Sequence, residues 1–383
     1  MSSIDRNSAI PEHVLPLPEK PNLEFERKRA KQLLHTIDDG DARSLERVRR
    51  YRPKVASHEV KLSDVQLTIA REYGFASWPK LVEFFDTLDR HEKAGPRSQS
   101  YRRDYYEMQV REVMRAHTAK RAYVTRGLAA FVPRFYARTD AEIFAASVNE
   151  DDAKLVVARM QRFLSWNALT HYADNRPRDR EVSREVLENA APMSFMRSIA
   201  PDADVATLSR ALLAGIHVKP EDVALLLERG ADPEWIPPSG VPILEHALMN
   251  YWNPAAVDLI ARRVTPRKGF WISAGLGDVA GMLEFLDSNG RPSAAARQNR
   301  PDFLLVGFNM PCRPDADGLE ILWEAFAIAG FNQRLAAIDA LLDRGFPIDY
   351  AEWGSTLLQW AEGNRITVLA NHLLKRGARP RSG

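Results

Sequence analysis

Gly354-Ser-Thr-Leu-Leu-Gln-Trp-Ala361 is the stretch whose reading decides the fold. Two upstream stretches share its layout, Gly240-Val-Pro-Ile-Leu-Glu-His-Ala247 and Gly318-Leu-Glu-Ile-Leu-Trp-Glu-Ala325. In each, an alanine stands seven positions after the glycine. A Leu-Leu-x-Arg-Gly ending follows in two of the three, at Gly345 and Gly377. Such recurrence is the sequence signature of a solenoid of stacked helix pairs, so the expected fold is all-α.

Composition agrees with a folded chain. Of 383 residues, 45% are hydrophobic and 9% aromatic, richer than disorder allows. A formal charge of +2 gives no bulk electrostatic case for nucleic acid or a membrane surface. Cys312 is alone, which rules out an internal disulfide and any multi-cysteine zinc site, and fits a reducing compartment. Met1 to Lys20 lacks the apolar core of a secretory signal, and no run of about eighteen apolar residues is present. The expected location is the cytoplasm.

Residues 1–21, with four prolines, read as an extended tail. Residues 22–95 read as a helical module. Asn22 is its first N-cap, and Leu23, Ala30, Leu33, Leu34 and Ile37 form the apolar face of its first helix. A second helix starts at Asp41, a third ends before Gly74, and Ser77-Trp78-Pro79 opens a fourth. Eighty-eight residues on, the text returns. Asp64, Leu67, Ala70, Arg71, Phe75, Ser77, Trp78 and Leu81 become Asp152, Leu155, Ala158, Arg159, Phe163, Ser165, Trp166 and Leu169. Residues 101–175 are therefore a second copy, preceded by a basic helix. The paired Trp78 and Trp166 either anchor their helices or form a recognition surface.

That basic helix, over Tyr101–Leu128, belongs to a stretch (Arg97–Arg126) with eight Lys or Arg against three acids, interleaved with Tyr101, Tyr105, Tyr106 and Tyr123. Basic residues with aromatics suit nucleic-acid backbones and bases, and suit equally a solvated helix with tyrosines packed on one side. Asp174–Arg184 reads as a charged linker, and Pro192 and Pro201 bracket a short helix. From 185 to 383 the repeat array runs on, with an inserted stretch at 291–317 holding the apolar Phe303-Leu-Leu-Val-Gly-Phe308. This insert is either a functional loop or the displaced half of one repeat.

The endings Leu226-Leu-Glu-Arg-Gly-Ala-Asp232 and Leu373-Leu-Lys-Arg-Gly-Ala378 resemble those of the ankyrin repeat. That family's Thr-Pro-Leu-His core is replaced by Pro242-Ile-Leu-Glu245, Glu320-Ile-Leu-Trp323 and Thr356-Leu-Leu-Gln359, with a fourth copy at Phe270-Trp-Ile-Ser-Ala274. Pro21-Asn-Leu-Glu24, Ala30–Leu34 and Ala70–Pro79 look like a module of bacterial ankyrin-repeat proteins. The resemblance implies an irregular ankyrin-like solenoid that binds a protein partner through a concave face. On that face it would expose Trp235, His246, Tyr251, Trp252, Tyr350, Trp353 and Trp360. Glu245, Trp271, Trp323 and Gln359 stand where the family's histidine ties neighbouring repeats together.

No motif for chemistry appears. The histidines lack metal spacing, and there is no phosphate loop, dinucleotide fingerprint or nucleophile elbow, so no catalytic residue, cofactor or metal is expected. Cys312 beside Arg313 is either an activated thiol or an inert one, and His117 either a base or a surface histidine. Non-catalytic scaffolding is the leading expectation. The alternatives are an enzyme or small-molecule binder whose pocket is walled by Trp271, Trp323, His246 and the insert, and nucleic-acid binding through residues 101–126.

Overall fold

The structure, a computed structural model, describes residue 10 and residues 14–97, 101–175, 199–200, 202–213, 219–308, 310–352 and 354–380. Among these residues the regular elements are nineteen α-helices and a few 3₁₀ turns, with no strand. None of the helices is long and apolar enough to cross a membrane. The chain divides into two compact units, Met1–Arg176 with Arg313–Asp315, and Pro177–Cys312 with Ala316–Gly383. The helix expected between Pro192 and Pro201 lies outside the described residues.

The first unit holds two successive sets of four helices that follow one another in the same order. Helices α1 (Leu23–Asp38), α2 (Ala42–Arg49), α3 (Leu62–Glu72) and α4 (Trp78–Lys93) make the first copy. The second is α5 (Arg103–Thr118), α6 (Ala122–Phe131), α8 (Glu150–Met160) and α9 (Trp166–Asn175), with a short α7 (Asp140–Ala145) intercalated. The lengths agree: α1 and α5 have 16 residues each, α3 and α8 have 11. The basic helix α5 is thus the first helix of the second copy, occupying the place of α1.

Local chemistry sets these boundaries. The side chain of Asn22 accepts from Phe25 N at 3.0 Å and that of Asp41 from Ser44 N at 3.0 Å. Each such cap is worth about 1 kcal/mol. The repeated aspartates play one role, since Asp64 accepts from Lys61 N and Asp152 from Asn149 N, both at 3.0 Å. Ser77 stands at the N-cap of α4 without a side-chain capping bond. The single helix expected over Tyr101–Leu128 is two. Lys120 turns left-handed (φ 52) and Arg121 N returns to Ala116 O at 2.9 Å, a stop usually given to glycine and so invisible in the residue type.

Trp78 and Trp166 pack against the cores of their own copies, as anchors would. Phe75, Phe84 and Tyr136 meet edge-on with centroids 5.0–5.7 Å apart. Arg159 is buried, donates to the carbonyls of Phe131 and Leu164, and lies over the Phe84 ring. Two of the cations of α5 are locally paired, Arg103 with Glu107 and Asp174, and Arg115 with Glu112. Tyr101 stacks on Tyr105 at 4.1 Å. His117 donates from Nε2 to Ile143 O at 2.9 Å, so its ring is engaged in holding α5 to α7.

The second unit comprises α10 (Val205–Leu213), α11 (Pro220–Glu228), α12 (Ile243–Asn250), α13 (Pro254–Ala261), α14 (Phe270–Leu276), α15 (Val279–Leu283), α16 (Gly318–Phe331), α17 (Leu335–Leu342), α18 (Leu357–Gly363) and α19 (Thr367–Lys375). Sequential helices pack in pairs, and the first members of the pairs, α10, α12, α14, α16 and α18, also pack each on the next. Ala247, Ala274, Ala325 and Ala361 are all completely buried in that row, where a larger side chain would push the helices apart. The Leu-Leu-x-Arg-Gly endings are left-handed helix stops. Ala231 N bonds Leu226 O, Phe346 N bonds Leu341 O, and Ala378 N bonds Leu373 O, each across a glycine at positive φ. Arg376 spans to Asp339 and Asp343, and Arg379 to Asp349.

The inserted stretch is packed rather than free. Phe303, Leu304, Leu305 and Val306 are buried in a run of turns. Trp271 Nε1 donates to Asn299 O at 2.7 Å, and Arg297 Nη1 to Ala316 O at 2.8 Å. Arg300 bonds both Glu320 and Glu324 of α16.

One network in the first unit yields a test. Glu26 is completely buried, accepts from the Tyr73 hydroxyl at 2.9 Å, and pairs with Arg29. Tyr73→Phe removes a donor from a buried carboxylate and is expected to cost about 1–3 kcal/mol at neutral pH, read by urea unfolding. Burial, with the adjacent Glu26 charge, pushes the Tyr73 hydroxyl up to about 12. An unfolded tyrosine loses its proton near pH 10, so on raising the pH the unfolded chain releases it first. The hydroxyl's contribution is complete below about pH 10 and gone by about pH 12, and the gap between wild type and Tyr73→Phe must close across that window.

Candidate functional site

The corner between α12 and α13 holds the one aromatic residue at positive φ among the described residues. Tyr251 caps α12, Trp252 follows in the left-handed region (φ 51), and Asn253 starts α13 by accepting from Ala256 N at 3.2 Å. A left-handed tryptophan costs roughly 1–2 kcal/mol that glycine would avoid. Trp252 Nε1 donates to Met249 O at 3.3 Å, one of the carbonyls that the end of α12 leaves unpaired.

The ring that this corner projects joins a cluster. Trp252 lies edge-to-face on Trp360 of α18 at 5.3 Å, with Phe308 of the insert at 6.0 Å and Phe331 of α16 at 6.1 Å. Trp360 and Phe331 are 4.5 Å apart, and Phe308 also meets Phe303 at 5.9 Å. Such pairs add about 0.5–1.5 kcal/mol each beyond burial. Phe331 is buried, whereas Trp252, Phe308 and Trp360 keep part of their surface in solvent. The cluster is therefore at once a joint between four segments and a partly open apolar surface.

Of the nine residues named from the sequence, the structure brings Trp252 and Trp360 together. Tyr251, expected on an open face, is buried at 2% exposure because it caps the helix inward; its hydroxyl lacks a hydrogen-bond partner, and burial raises its pKa. His246 is half-buried, with its ring 6.3 Å from that of Tyr251. Trp271 and Trp323 are core residues, each 4% exposed. Tyr350 is half-buried and donates to Glu352, and Trp235 is half-buried in the loop after α11. Trp353 lies outside the described residues. Phe308 is present in the sequence-based expectations only as the end of the insert's apolar run, and Phe331 carries no signal there.

Two further features bear on chemistry. A cleft of about 230 Å³ has Pro233, Ile236, Pro242, Leu244 and Ile272 in its walls and a two-pronged Arg267–Glu245 ion pair beside them. It falls below the 300–1,000 Å³ usual for small-molecule sites. The Cys312 thiol donates to Pro301 O at 2.6 Å, and burial pushes its pKa up, against the opposing pull of Arg300. That environment keeps the thiol protonated, contrary to activation by Arg313. No group of three or more His, Cys, Asp or Glu among the described residues is placed to hold a metal ion. No protein-family model and no curated protein matches the chain.

Two measurements follow from this geometry. Trp252→Ala keeps the left-handed corner and loses the rings, whereas Trp252→Gly loses the rings and relieves the corner. Urea unfolding should therefore find the alanine variant about 1 kcal/mol less stable than the glycine variant; equal stability would mean that the corner carries no strain. Cys312 in the native protein should react with an aromatic disulfide reagent at least roughly 100-fold slower than in the unfolded chain at pH 8. A fast native reaction would contradict the protonated thiol held on Pro301 O.

Proposed function

We propose that this protein is a non-catalytic scaffold whose second unit is an irregular ankyrin-like array of stacked helix pairs, and that it holds a protein partner on the aromatic cluster around Trp252. The cluster carries the reading. Three aromatic side chains from separate segments, Trp252, Phe308 and Trp360, keep exposed surface while their backbones are held by a left-handed corner after α12, by the Phe308 N to Phe303 O turn bond at 3.0 Å and by the helix α18 respectively. Rigid, partly buried aromatics are the residues that most often dominate a protein interface, because their large area is fixed at little entropic cost. The ankyrin-like part of the reading is supported by the left-handed Leu-Leu-x-Arg-Gly endings and by the buried alanine in each copy.

The test is a quantitative capture with the full chain as bait. A partner enriched by wild type and by Trp235→Ala should fall at least about tenfold with Trp252→Ala/Trp360→Ala, provided the circular dichroism is unchanged. Equal capture by the folded double variant sinks the proposed face.

A further inference from the structure

The described residues of the N-terminal stretch, Ile10 and those from Val14 onward, lie against the first unit. Leu15 N donates to Glu72 O at 2.9 Å. Glu72 is the last residue of α3, so this bond satisfies a carbonyl that the helix end leaves open. Leu17 packs against the core of the first copy, and Ile10 against a core of the second. The segment thus reaches both sets of four helices.

The floor beneath it is shaped for a close approach. Gly74 follows α3 at φ +92, and a Cβ placed there would stand 2.9 Å from Val14 Cγ1 and 2.9 Å from Arg134 Cα. The duplication supplies an internal control. Eighty-eight residues on, the equivalent position is Arg162, also left-handed at φ 68. The conformation alone therefore admits a side chain at this place. What Gly74 accommodates is the joint approach of Val14 and of the second copy's Arg134. The far wall is rigid, because Arg134 is buried, bonds Asp152 and Ser147 O, and lies over the Phe135 ring at 4.3 Å.

The occupant has a definite chemistry. Val14-Leu-Pro-Leu-Pro18 places Leu15 and Leu17 each before a proline, which biases both toward extended backbone and leaves few backbone donors. One of those donors, Leu15 N–H, is the one used. We propose that the seam between the two copies is a groove for an extended aliphatic peptide punctuated by prolines, and that residues 14–17 occupy it in cis, with Val14 and Leu17 as the seated side chains and Leu15, 48% exposed, anchored through its backbone N–H. A partner segment of the same chemistry enters by displacing a tethered competitor whose effective concentration is in the millimolar range. This groove belongs to the first unit and stands independently of the aromatic cluster.

The experiment uses the full chain carrying Val14→Asp and Leu17→Asp, with folding checked by circular dichroism. The probe is a fluorescent synthetic peptide with the sequence of residues 10–21, followed by anisotropy. The variant should bind it at least about tenfold tighter than wild type, whose groove is filled. N-methylation of the peptide's Leu15 nitrogen should weaken binding about tenfold, and a scrambled peptide should not bind. A folded variant that binds no tighter than wild type, or that takes the scrambled peptide equally well, overturns the proposal. If the variant does not fold, the full chain with a protease site inserted after Lys20 decides. The cleaved arm should co-elute with the body on gel filtration at micromolar concentration, and its immediate separation overturns the groove.

Discussion

At Gly275 of α14 the second unit depends on an atom that is not there. A Cβ at this position would lie 2.7 Å from Ile328 of α16 and 2.9 Å from Leu248 of α12. Its absence lets α14 sit against both neighbours at once. Asn332, which caps α16, is thereby able to donate to Leu248 O at 2.8 Å in a fully buried position. The bond ties the end of α16 to α12 across the short α14. The aromatic cluster inherits that arrangement, since Trp252 and Phe331 approach because the ends of α12 and α16 have met. Gly330 repeats the device one step on, where a Cβ would stand 2.5 Å from Leu357 of α18. Trp360 reaches the same place on that helix.

Charge is buried where the chain departs from a plain row of helix pairs. The insert delivers Arg300 between Glu320 and Glu324, which stand one turn apart on α16, and all three side chains are largely shielded. Two like charges on one helix face repel unless a cation bridges them, and a buried cation needs anions in turn. The insert and α16 are therefore mutually required, which explains how a stretch without an α-helix becomes part of the core. In the first unit Arg134 and Asp152 make a buried pair, while Arg159 is held by carbonyls, one of them at the C-terminal end of α6, where the helix dipole favours a cation. Buried ionic groups of this kind contribute little net stability, but they penalise any arrangement that separates the partners.

The helical character was legible in residues because it is written in local chemistry. Asn22, Asp41 and Gly74 punctuate helices through their own side chains or the lack of one, and the eighty-eight-residue echo falls on two helices of equal length, α3 and α8. Alanine at a fixed offset marked the seam of the second unit. Three things were not legible. Lys120 breaks the basic helix with a conformation that its residue type does not advertise. Trp271 and Trp323 are core residues that the sequence offers as pocket or surface aromatics, because an aromatic on a mixed helix looks the same from either side. The meeting of Trp252 with Phe308 and Trp360 joins residues about fifty to a hundred positions apart, and no local pattern encodes it.

Left-handed corners show why backbone geometry alone does not mark a site. Lys120, Arg162, Gln333 and Arg365 adopt the same conformation as Trp252, each just after a helix. Lys120 and Arg365 project into solvent, and their corners are simply helix stops without glycine. Trp252 differs because its ring is held: its indole nitrogen bonds the helix it has just left, and three other rings surround it. Glycine would end α12 at lower cost, yet it would vacate the centre of a joint between α12, α16, α18 and the insert. The strain is sustained by the aromatic contacts, so the left-handed backbone and the open cluster are one feature. Gly74 is the opposite case, where the corner is left without a side chain and another part of the chain lies in the space.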